Sequence, residues 1–247
     1  MLSRAFHQFS RYQHKWLDGT LVDPSMRTAS KILCVARNYT DNPLEKTEPI
    51  SKRMENAAIF FKPPSSLVDI NPSISLKGYT DVVCETEMVL LIGQEIPRSM
   101  RGCSSQEAKN SVAGITIGFD FTRKDLQNKL KAVGKPWELA KAFDGACPIG
   151  GFMPIRRLPN LLEGSQPTRI QLALNDEIVL SQSLTDMILS PLELIQLLTQ
   201  HFTLVPGDVI MSGTPTLPQQ PPRLKAGDKV IARIGEHIEI HSKLETI

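Results

Sequence analysis

Residues 82–93 read VVCETEMVLLIG, an apolar run of strand length broken mainly by two glutamates, Glu85 and Glu87. β-branched and apolar residues at this density predict a buried strand. Residues two apart in a strand leave the same face, so the two carboxylates project together. A second β-rich run follows at 112–121, where GITIGFD brings Asp120 to the end of the run. Shorter strands are predicted at 31–36, 57–62, 170–174, 177–180, 209–211, 229–234 and 237–241. Helical spacing is confined to 104–112, with Ser105 as its N-cap, to 125–132, and to 192–201, where Leu194, Leu197 and Leu198 share a face. Strands are many and short, helices are few, and no strand–helix–strand alternation recurs. The expected class is therefore mainly β or α+β, not a doubly wound sheet.

The 247 residues divide into a short N-terminal extension, 1–30, which ends near the turn-like Asp23-Pro24-Ser25, and one domain over 31–247. A net charge of +2 gives no electrostatic footprint for nucleic acid or for a membrane surface. No apolar run approaches the roughly 20 residues that cross a bilayer. Cys34, Cys84, Cys103 and Cys147 form no CxxC pair and lie far in sequence from the histidines, so they read as buried free thiols of a reducing compartment, the cytoplasm. Residues 40–56 are charged, hold two prolines and read as a surface loop or short helix able to act as a lid.

Adjacent carboxylates within an apolar strand repel each other and lose hydration. They persist when a cation sits between them, or when that face meets water. With Asp120 as a third oxygen donor, Glu85 and Glu87 suit a hard divalent cation, since thiolate and imidazole ligands are missing nearby. A solvated strand edge gives the same short pattern.

The stretches CVARNY (34–39), CETEMVLLIG (84–93), GFDFTRKDLQ (118–127), WELAKAFD (137–144) and PGDVIMSGTP (206–215) together resemble the motif series of the fumarylacetoacetate hydrolase superfamily. Their order and spacing match its C-terminal catalytic domain over roughly 31–240, and they look nearest to the branch of acylpyruvate hydrolases and oxaloacetate tautomerases. That resemblance implies a mixed β-sandwich roll with short helices, a homodimer, and Mg²⁺ or Mn²⁺ held by Glu85, Glu87 and Asp120. It further implies Lys141 as the active-site lysine, Thr214 and Gln127 as contacts to a small 2-oxo acid, and Arg37 as an anion partner. A cation beside three carboxylates and a divalent metal brings the local charge near zero, and could protonate or hold an enolate.

The chain departs from the resemblance at two places. In the segment RNYTDNPLEK (37–46), Asn42 stands where hydrolases of this group carry a histidine, while Glu45, the other half of the water-activating dyad, remains. An amide takes up no proton in the useful pH range, and losing a general base costs about 10²–10⁴-fold in rate. After SGTP the chain continues with Thr216-Leu217-Pro218, where relatives carry a glycine-containing turn. The expectation is enolate chemistry on an oxaloacetate-like 2-oxo acid, either tautomerisation, isomerisation or decarboxylation. Hydrolysis of an acylpyruvate C–C bond is the alternative, followed by a catalytically degenerate protein that only holds metal and ligand.

Overall fold

In the computed structural model, residues 12–76, 78–165, 167–215 and 223–245 are described. Both long apolar runs become long strands, β5 (Val82–Ile92) and β6 (Val112–Arg123) in chain order. They pair antiparallel along their whole length, which sets Glu85 directly opposite Asp120 and Glu87 opposite Gly118. Before them come β1 (Ile32–Ala36), two short helices α1 (Pro43–Thr47) and α2 (Ile50–Asn56), then β2 (Ala58–Lys62), β3 (Leu67–Asp69) and β4 (Ser73–Ser75). Helix α3 (Ser105–Ser111) connects β5 to β6. After β6 follow α4 (Lys124–Ala132), α5 (Glu138–Lys141), β7 (Cys147–Ile149), β8 (Met153–Pro154), β9 (Arg169–Leu174) and β10 (Glu177–Ser183). Helix α6 (Pro191–His201) and strands β11 (Val209–Met211), β12 (Lys229–Ile234) and β13 (Ile238–Glu245) complete the order.

Two sheets result. The larger runs β2-β1-β11-β5-β6-β7-β3 with β8 on β6, and the smaller runs β10-β9-β12-β13-β4. Most pairs are antiparallel, whereas β1–β11, β3–β7 and β4–β13 are parallel. This mixed two-sheet architecture is the mainly β, α+β class expected from the strand pattern.

Strand alternation explains which face does what. Even-numbered side chains of β5 (Cys84, Met88, Leu90, Ile92) and odd-numbered ones of β6 (Ile115, Ile117, Phe119, Phe121) enter the main core together with residues of the smaller sheet. Each such side chain contributes about 1.5–3 kcal/mol on burial. The other face of β5 carries Glu85, Glu87, Val89 and Leu91 in line. Its apolar end, Val89 and Leu91 with Ile32, Val209 and Ile149, is covered by Tyr12, Trp16, Val22 and Met26. The N-terminal segment thus lids the apolar half of this face and leaves the carboxylate half to the site.

Details differ from the sequence reading. Strand β6 runs past Asp120 to Arg123, because Thr122 and Arg123 pair with Val83 and Val82 although they carry no apolar signal. The cap of α3 is Ser104, not Ser105, in a reciprocal capping box with Glu107. Residues 216–222, including Thr216-Leu217-Pro218, lie outside the described residues.

Candidate active site

Glu85 and Asp120 are cross-strand partners, a destabilising juxtaposition of like charge unless it is offset. The offset comes from α5. Its last residue, Lys141, places Nζ 2.6 Å from Glu85 Oε2 and 2.5 Å from Asp120 Oδ2. One oxygen from each of Glu85, Glu87 and Asp120 lies within 4.8 Å of the others. Glu87 and Asp120 are buried, and Glu85 is half-buried.

Sequence reasoning missed a second ammonium. Lys62, at the end of β2, is fully buried and pairs with Asp120 Oδ1 at 2.8 Å. It also donates to the carbonyls of Lys141 and of Ala146, the latter at 3.0 Å. A lysine in an apolar strand ahead of Pro63-Pro64 was the available signal, but a strand-end lysine reads equally well as a surface group.

Burial pushes the Asp120 carboxyl up, yet Lys141 and Lys62 together outweigh it and hold the group below the ordinary carboxylate range. Burial pushes the Lys141 ammonium down, but Asp120 and Glu85 outweigh it and raise it above the usual lysine value. Glu87 fares differently. Burial, then the neighbouring Asp120, pushes its carboxyl well above the usual range, against one Gly213 N–H donated at 2.8 Å. Among the described residues no ammonium or guanidinium forms an ion pair with it. A buried carboxylate short of a cation, beside two others and with only oxygen donors within reach, fits a hard divalent ion.

Two turns hold this floor. Gly213 adopts φ +93°, and a Cβ there would lie 2.8 Å from the Val35 carbonyl oxygen. Asn38 clasps the turns together, donating to the Leu189 and Ser212 carbonyls at 3.0 and 2.9 Å while its Oδ1 accepts from Leu189 N–H at 2.8 Å. Arg37, just before it, is exposed and sits at φ +61°, a left-handed conformation that costs a non-glycine residue about 1 kcal/mol or more.

The other expected residues are placed as follows. The Thr214 hydroxyl, next to Gly213, is buried and has no hydrogen-bond partner among the described residues. Gln127 is buried in α4, with its side-chain oxygen accepting from Lys124 at 3.4 Å. Arg37 and Glu45 line one cleft of about 280 Å³ with Tyr39, Glu48 and Arg53. Lys141 lines another, of about 250 Å³, with Phe60, Phe61, Pro136, Trp137 and Glu138. Asn42 is exposed and spends its side-chain oxygen capping α1, accepting from Leu44 N–H at 3.1 Å. No histidine among the described residues lines either cleft.

The profile of the fumarylacetoacetate (FAA) hydrolase C-terminal family matches residues 31–244. The chain belongs to that family. Within it, an oxaloacetate tautomerase of Escherichia coli (strain K12) is 33% identical over 205 residues, 83% of this chain and 88% of the relative. A mitochondrial oxaloacetate tautomerase of Caenorhabditis elegans is 35% identical over 190 residues, 76% and 83% of the two chains. Among solved structures, fumarylpyruvate hydrolase from Pseudomonas aeruginosa, in complex with Mn²⁺ and pyruvate, superposes with a TM-score of 0.76 at 25% identity, covering 98% of this chain and 100% of that one. The FAA hydrolase family membership accounts for the two-sheet fold, and the acidic cluster in this member is a divalent-metal type of donor set.

Proposed function

We propose that this chain is a divalent-metal-dependent enzyme that tautomerises a small 2-oxo acid of the oxaloacetate type through an enolate, with Mg²⁺ or Mn²⁺ held by Glu85, Glu87 and Asp120. The observation that carries this reading is a pairing of presence and absence. The carboxylate cluster is joined to a buried, charged Lys141, while the lid offers an exposed Glu45 and a capping Asn42 in place of a water-activating histidine. The tautomerase names of the 33% and 35% identical relatives support the same choice.

When bound, the cation supplies Lewis acidity to a chelating ketone oxygen. The chain's own residues do the rest. Three carboxylates, two ammonium groups and one divalent cation leave a single net positive charge, suited to an anionic ligand and less so to a neutral ester or amide. The Thr214 hydroxyl and the amide N–H groups of Gln127 are donors for a substrate carboxylate, and Arg37 reads its outer charge. Lys141, paired with Glu85 and Asp120, stabilises negative charge developing on the enolate oxygen or returns a proton to the enolate. Water attack is disfavoured because Glu45 lines the cleft without a histidine beside it among the described residues.

Exposed apolar side chains at Phe61, in the edge strand β2, and at Leu139 of α5 support a homodimer. Four buried free cysteines support a reducing compartment, which we take to be the cytoplasm.

The test is to strip the protein of metal, restore Mg²⁺ or Mn²⁺, and follow oxaloacetate enol and acetylpyruvate in parallel. Fast, metal-dependent decay of the enol with slow loss of acetylpyruvate is expected. Rapid appearance of pyruvate and acetate would instead make it a hydrolase, the reading favoured by the retained Glu45. Binding of oxalate with no turnover of either compound would make it a degenerate ligand holder. Asn42→His should gain acylpyruvate hydrolysis.

A further inference from the structure

We propose that Lys62 is a positioning residue that fixes Asp120 as a one-oxygen metal ligand and tethers Lys141 beside it. This inference rests on the metal site of the proposed function. Strand β2 presents Phe60 and Lys62 on one face, two residues apart, opposite Cys34 and Ile32 of β1. Both reach the same target. The Phe60 ring lies 5.2 Å from Lys141 Nζ, and Lys62 Nζ donates to the Lys141 carbonyl. Lys62 also donates to the Phe121 and Ala146 carbonyls, at 3.4 and 3.0 Å, so its three N–H groups are all used on carbonyls while its charge sits 2.8 Å from Asp120 Oδ1. It cannot reach a substrate, since its side chain is wholly buried.

The consequence for Asp120 follows from which oxygen is taken. Oδ1 faces the Lys62 ammonium in an ion pair at 2.8 Å, which leaves Oδ2 as the oxygen on the side of Glu85 and Lys141. A cation and Lys141 Nζ therefore compete for that oxygen and for Glu85. Lys62 limits Lys141 in that competition twice: its ammonium faces the oxygen that Lys141 would otherwise share, and it anchors the carbonyl at the end of the four-residue helix α5. Without it, Lys141 is free to take both Asp120 oxygens and close the site to metal. A purely electrostatic role makes the opposite prediction, because removing a positive charge next to a ligand carboxylate strengthens cation binding.

The experiment titrates metal-free wild type, Lys62→Met and Lys62→Gln with Mn²⁺, read by the electron paramagnetic resonance of free and bound ion. Thermal unfolding of each metal-free protein is recorded alongside. Loss of a group that orients a metal ligand typically weakens binding about 10–100-fold. We expect at least a tenfold rise in the Mn²⁺ dissociation constant for Lys62→Met, a broadened bound-ion spectrum, and a smaller rise for Lys62→Gln, which keeps a donor to the carbonyls. Folded variants that bind Mn²⁺ as tightly as wild type, or more tightly, overturn the proposal. So does failure of both variants to fold, which would make Lys62 a requirement of the core and not of the site. If wild type itself binds no Mn²⁺, the metal site is at fault and not the role of Lys62.

Discussion

Lys141 touches two of the three carboxylates that would hold a metal, so at this residue substrate chemistry and metal binding pull in opposite directions. Removing its charge by Lys141→Met should lower enol decay by about 10²–10⁴-fold, the usual scale for losing a group that meets charge in the transition state. The same change should leave Mn²⁺ binding intact or tighter, because a rival for Glu85 and Asp120 is gone. Equal loss of both properties in a titration and a rate assay on one preparation would show that Lys141 only supports the fold. Gly213 is the second pressure point. An alanine there must accept φ +93° and a Cβ 2.8 Å from a backbone oxygen that cannot swing away. Left-handed strain of this kind costs about 1–3 kcal/mol. Gly213→Ala should lose that much in denaturant unfolding and should also weaken metal binding, since the displaced N–H is the one that holds Glu87.

Helix α2 is the element most exposed to a single change, and its mooring is one guanidinium. Arg53 grips both oxygens of Glu193, at 2.7 and 3.1 Å, and donates to the Ile188 carbonyl, while Glu193 simultaneously closes the capping box of α6. The segment over 43–56 buries no residue fully, so this clamp, together with Lys46 on the Thr185 carbonyl and Asp186, bears on its opening equilibrium. With Arg53→Met, trypsin should cut at Lys46 or Lys52 about tenfold faster under native conditions, the equivalent of ~1.4 kcal/mol. Unchanged cleavage would mean that α2 is held by its contacts through Met54 instead. Legibility divides along similar lines. Strands β5 and β6 could be read directly, because β5 is a near-continuous apolar run in which the two glutamates share one face, and β6 alternates Ile115, Ile117, Phe119 and Phe121 with small or polar residues. The grouping of Glu85, Glu87 and Asp120 rests on the family resemblance, since the pattern alone fits a solvated strand edge equally, and the structure does bring them together. Lys62 stayed hidden, since its partners are 58 to 84 residues away and nothing local marks a lysine as buried. The short helices of the lid were open between loop and helix, for two prolines and a run of charges carry no 3.6-residue period.

For the molecule as a whole, the covering of the large sheet's outer face depends on a histidine that sequence alone leaves unexplained. His14 is completely buried between Tyr12 and Phe152, and Nε2 donates to the Gly207 carbonyl at 3.0 Å, 193 residues away. Beside it, Asp208 accepts from Ser30 and Lys31, so the N-terminal segment is pinned to the turn that starts β11. Burial pushes the imidazole down to about 4, with Gly207 and Asp208 only partly opposing it. The unfolded chain protonates His14 near 6.5, so between these two values the unfolded state binds a proton that the folded state refuses. The stabilising contribution of neutral His14 is therefore complete above pH 6.5 and is lost as pH falls towards 4. The gap corresponds to at most ~3 kcal/mol. His14→Gln retains a donor for Gly207 but does not titrate, and it removes this one dependence while every carboxylate titrates as before. Unfolding free energies of the two proteins, measured from pH 7.5 to pH 4, should run parallel above pH 6.5 and then converge, wild type losing the more. Curves that stay parallel throughout would mean that the segment lifts and hydrates His14 before the rest of the fold responds.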